Sequence, residues 1–172
     1  MQLYRSVRLL VRWPFSAMPT RGLFDLLSGD DLCAKLEHDF QRVSDDPSDA
    51  FAAFDFVVTA WHLFEWHFPG DFAKRNEVCA RHPILRVCEH LAVGAKHFEP
   101  TDPKLDSVQA SHRDAFWAKG TWAPGVWAKG FWKDDLVVEL KGSAKDALGD
   151  RLTMLQIAGL IMDFWRGPGG CP

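Results

Sequence analysis

The 172-residue chain lacks any run of the roughly 20 uninterrupted apolar residues that a membrane-spanning helix requires. Its longest apolar stretches, Phe51–Phe64 and Leu152–Trp165, are broken by Asp55 and His62 in the first and by Gln156 and Asp163 in the second. A strong charge of either sign is also missing: a formal net charge of −3 argues against a protein that wraps nucleic acid by electrostatics alone. Cysteine is scarce. The spacings of Cys33, Cys79, Cys88 and Cys171 fit neither a CxxC metal knuckle nor the dense framework of a small secreted domain. All four read as reduced thiols of a cytoplasmic protein, with Cys79 and Cys88 inside helices as small hydrophobes. Neither H-E-x-x-H nor an E-x-x-H pair occurs, so the helical metal motifs are missing and no metal or cofactor is expected.

What is present, 47% hydrophobic and 25% charged residues, is the balance of one soluble globular domain that buries about two-thirds of its unfolded surface. Residues 1–24 hold Arg5, Arg8, Arg12 and Arg21 and no acid, while all 23 acidic residues follow. This end reads as a basic leader or arm upstream of a single domain over 25–172. It resembles an organelle presequence, although Trp13-Pro14 interrupts its helix.

Apolar spacing predicts a helix over Asp30–Ser44 through Leu32, Leu36 and Phe40, with Asp30 or Asp31 as cap and Asp45-Asp46-Pro47 as stop. A second helix follows Ser48 and is apolar nearly all round up to Pro69-Gly70, which makes it the central one. Asp71 caps a third through about Arg81, and Pro83 opens a fourth to Phe98. The last helix is predicted from Ser143 to Trp165, ended by Gly167-Pro168-Gly169-Gly170. Asp135–Leu140 has strand composition, with a partner strand expected from Lys104–Phe116. The expected fold is α+β and mostly α: an antiparallel four- or five-helix bundle with a small β insertion, at about 104–141, before the last helix.

Inside that insertion Trp117, Trp122, Trp127 and Trp132 recur every five residues. An odd period sends alternate tryptophans to opposite faces of one strand, and on a helix it spirals them round, so glycines 120, 125 and 130 suggest a turn in each repeat. The tryptophans, with Lys119, Lys129 and Lys133 nearby, are candidate binding residues that stack on bases or sugars, or pack in the core or an interface.

Two polar lines mark otherwise apolar helices. Asp55, Thr59, His62 and Glu65 share one face of the second, and Arg86, His90 and His97 fall in one stripe of the fourth. Buried polar residues need partners, so packing one line on the other predicts a seam of Asp55, His62, Arg86, His90 and His97. Such a seam either fixes helix register or supplies an arginine and a histidine for phosphoryl chemistry.

Arg75 and His82 enclose six intervening residues, a spacing that resembles the R-x4–6-H signature of HEPN-domain proteins. The wider pattern, Ala60-Trp61-His62-Leu63-Phe64-Glu65-Trp66 with a later Lys96-His97-Phe98 helix end and a closing Phe164-Trp165, is similar to a family of uncharacterised bacterial proteins. This chain has Val93 where that family favours Asn. The HEPN resemblance implies a small, typically dimeric helical bundle, many members of which are metal-independent RNases of toxin or phage-defence systems. In that reading an Arg neutralises the phosphate while a His serves as acid and base, with Arg75 and His82 as the alternative pair to the seam. The expectation from another class is a non-catalytic, dimeric binding module that grips a partner through the tryptophan segment.

Overall fold

The structure is a computed structural model and describes residues 24–97, 102–117, 132–168 and 170–171. The basic leader and Trp122 and Trp127 lie outside the described residues, and Trp117 and Trp132 are described as backbone. In chain order the described residues form α1 (Gly29–Asp45), α2 (Ala50–His67), α3 (Phe72–Arg81), α4 (Pro83–Lys96), β1 (Val108–Trp117), β2 (Trp132–Leu140), α5 (Gly142–Leu148), β3 (Arg151–Thr153) and α6 (Met154–Trp165). The chain is thus mostly helical with one small antiparallel sheet, but it has six helices where four or five were expected.

α1, α2, α3 and α6 begin where a capping side chain satisfies a first-turn amide. Ser28 caps α1, forming a reciprocal capping box with Asp31; it lies two and three residues before the acids expected as caps, Asp30 and Asp31. Asp49 caps α2 through the amide of Phe51, and Asp71 caps α3, as expected, through that of Lys74. Pro83 sits in the first turn of α4, where its missing N–H costs nothing. α2 packs against α1 and α4 and reaches α6, and its Phe56, Leu63 and Phe64 are fully buried, as its all-round apolarity requires.

The sheet runs β1-β2-β3, so β1 stands at one edge. β1 pairs with β2 from Val108 opposite Leu140 to Trp117 opposite Trp132, with an irregularity between Val108 and Ala110. Val108, Val138, Leu140 and Leu152 turn inward and join the helical core.

The predicted single helix over Ser143–Trp165 is corrected by this fold. α5 ends at Gly149, whose φ of +96° suits a residue without Cβ, and β3 then pairs with β2 before α6 starts. The true cap of α6 is Thr153, which accepts from the Gln156 amide while Gln156 Oε1 accepts from the Thr153 amide. Ser143 makes no cap, because α5 opens at Gly142 in the left-handed region, tight against the Asp106 carbonyl.

The cysteines divide. Cys79 and Cys88 are buried free thiols as expected, and burial pushes the Cys79 thiol up to about 11 and Cys88 upward too, which keeps both protonated and inert. Cys33 and Cys171 are not reduced: they form a disulfide between α1 and the segment after α6. Their separation of 138 residues hides the pair from any spacing rule. The chain returns to α1 because α6 packs on it, Arg166 bonding both oxygens of Glu37 at 2.9 and 2.7 Å.

Candidate functional site

The seam predicted between α2 and α4 does not form. Asp55 accepts from Arg42 Nη1 of α1 at 2.6 Å, and Glu65 pairs with Arg75 of α3 at 3.3 Å. Thr59 is buried against α1, where its hydroxyl donates to Asp39 at 2.7 Å and accepts from Lys35 Nζ at 2.8 Å. His62 and His97 are exposed. On α4, Arg86 bonds Glu89 of its own helix at 2.6 Å and Asn76 of α3 at 2.8 Å. The α2 polar line therefore faces α1, α3 and solvent. The α2 face towards α4 is apolar and close, with the Cys88 thiol 3.7 Å from the Val57 carbonyl. The partner that spacing missed is Asp39, 2% exposed, which falls on the apolar stripe of α1 with Leu32, Leu36 and Val43.

Arg75 and His82 are separately engaged. The Arg75 guanidinium lies 4.4 Å over the Phe72 ring, while His82 joins α3 to α4 with its ring edge-on to Phe164 at 5.0 Å. Among the described residues no three His, Cys, Asp or Glu side chains converge as a metal site would need.

Of the seam residues, His90 lines a cavity. Its Nδ1 lies 3.1 Å from the Val108 amide, which donates to it, and 3.3 Å from the Ser107 hydroxyl; that hydroxyl donates to the Arg86 carbonyl at 3.0 Å. The imidazole so ties α4 to the start of β1, and accepting at Nδ1 places its proton on Nε2. Burial, then the nearby Lys141 charge, lowers the His90 pKa, which favours the neutral ring. With Ser107 buried and its proton committed, this is a structural link and not an activated nucleophile.

The cavity is an open groove of about 610 Å³ between α2, α4 and the sheet. Room for it comes from small side chains: Ala50 and Ala53 of α2 and Gly94 and Ala95 of α4 face it where larger residues would close on the sheet. Leu136 and Val138 supply an apolar floor. The irregularity after Val108 puts Ser111 opposite Val138 and Arg113 opposite Leu136, so β1 presents polar residues where the helices would otherwise pack. Arg113 reaches across to the Ser48 carbonyl at 2.9 Å. The lining includes Arg113, His90 and His112 and no carboxylate, in a chain with more acids than bases.

No family model, curated protein or solved structure matches this chain. The groove therefore carries the functional argument by itself. It has the size and apolar lining of a binding cleft, few polar groups, and no paired acid and base at a reacting position. Gly94, Ala95, Ser111 and Arg113 did not stand out in the sequence; the one available signal was a pair of small residues inside an otherwise bulky apolar helix.

Proposed function

We propose that this protein is a non-catalytic binding module whose working surface is the groove between α2, α4 and the sheet. One observation carries the reading. The fold leaves an apolar cleft open at Gly94, where an added Cβ would meet no atom within 4 Å, although glycine inside a helix costs about 1 kcal/mol relative to alanine. Each arginine and histidine with the spacing for RNA cleavage is bonded or stacked within the fold, exposed, or, in His90, tied to β1.

The test compares the wild-type chain with Gly94→Leu as immobilised bait, and incubates both with RNA in the presence and absence of EDTA. The reading expects partners that the wild type holds and Gly94→Leu loses at unchanged thermal stability, with the RNA intact. RNA cut by the wild type and left whole by Arg75→Ala or His82→Ala would replace it with the ribonuclease reading.

A further inference from the structure

β1 is a ten-residue strand at the sheet edge that carries neither Pro nor Lys; the irregularity after Val108 and the charges of Arg113 and Asp114 are its edge-blunting features. Among the described residues, no backbone group of Gln109–Asp114 bonds to the main chain outside the β1–β2 ladder. Alternate residues of a strand face opposite ways. Yet six consecutive residues, Val108–Arg113, line the groove, so the groove runs along the open edge of β1 and not only over one face. An edge whose outer donors and acceptors are unpaired among the described residues, beside an apolar groove, is the geometry of strand addition. Its charge points to the partner, since the lining offers Arg113, which sits between the Ser48 carbonyl and the nearby Asp46, and holds no carboxylate of its own.

Resting on the binding-module reading above, we infer that the groove takes an extended peptide of another protein. This peptide pairs with β1 as a fourth strand, sets alternate apolar side chains towards Leu91 and the space before Gly94, and places an Asp or Glu at Arg113. Main-chain pairing gives the affinity, the apolar side of the groove selects apolar residues two apart, and Arg113 fixes the register.

The probe is a phage library of random linear nonapeptides, panned on the full chain with Gly94→Leu as counter-selection. The expected peptides alternate apolar residues and carry one acid. A synthetic copy of the most enriched one should protect alternate amides of Gln109–Asp114 from hydrogen exchange. Its affinity should fall at least ten-fold in Arg113→Gln, with melting of that variant checked, and Arg113→Glu should select Lys in place of the acid. Peptides that depend on Gly94 but bind without protecting β1 amides would overturn the strand inference and leave the groove reading standing. Peptides bound equally by wild type and Gly94→Leu would overturn both. An empty selection overturns the inference, as does a wild-type dimer whose β1 amides are already protected, which would make a second copy the occupant. Displacement of the peptide by dodecanoate at equal affinity for Arg113→Gln would also overturn it, since a site that ignores both backbone and charge is a plain apolar cleft.

Discussion

Asp39 is buried with its carboxylate held by Lys35 Nζ and Thr59, and Arg42 at 4.0 Å adds a second cation. This cluster sets the register of α1 on α2, the role spacing had given to α4. Lys35 is partly exposed, which screens its share, so Asp39→Ala should destabilise by about 2 kcal/mol through the unpaired Thr59 and Lys35, and Thr59→Val by about 1 kcal/mol, read by urea denaturation. Asp55 and Thr59 were legible as polar residues that need partners; the direction of those partners was not, because two helix faces 100° apart look alike until the neighbours are placed. His90 gives a pH effect with a definite sign. Its pKa is lowered in the fold, so the unfolded chain takes the proton first. Stability is then full above the ordinary value of 6.5 and declines as pH drops from there through the lowered folded value. Denaturation midpoints at pH 7.5 and 5.5 should differ more for the wild type than for His90→Asn, and an equal difference would remove the tie between α4 and β1 from the account.

At the scale of elements, α1 to α4 were readable because their caps and apolar periods are local, and β1 and β2 because Asp135–Leu140 and its partner segment have strand composition. The last segment was not. Ser143 to Trp165 carries a nearly unbroken helical pattern, and the break at Gly149 is decided by a tertiary event, the pairing of Arg151–Thr153 with β2. The cap of α6 follows from that break, so Thr153→Ala should cost about 1 kcal/mol in thermal melts, whereas Ser143→Ala should leave stability within a few tenths. Gly94 gives the opposite sign. Alanine there meets open space and gains helix propensity, so Gly94→Ala should stabilise the isolated chain by up to about 1 kcal/mol. Destabilisation would mean that the groove is filled by the fold itself.

Over the whole molecule, the helices form a core around α2 while a groove opens between α2, α4 and the described part of the sheet, and α1 is tied to the segment after α6 by Cys33–Cys171 and the Arg166–Glu37 pair. A disulfide typically stabilises by about 2–4 kcal/mol, so thiol reduction or Cys171→Ser should lower the denaturation midpoint accordingly. An unchanged midpoint would mean that α1 and α6 hold together without the bond. The α+β class was legible from pattern, but the groove was not, because a cavity is the absence of packing between segments far apart in sequence. That cavity and the open edge beside it are the centre of the account, and native-state amide hydrogen exchange on the dilute chain tests them most directly. The account predicts fast exchange at alternate amides of Gln109–Asp114 beside slow exchange in Leu136–Leu140, with the fast set slowed when a groove-bound partner is added; uniform protection of β1 in the unbound monomer would contradict it.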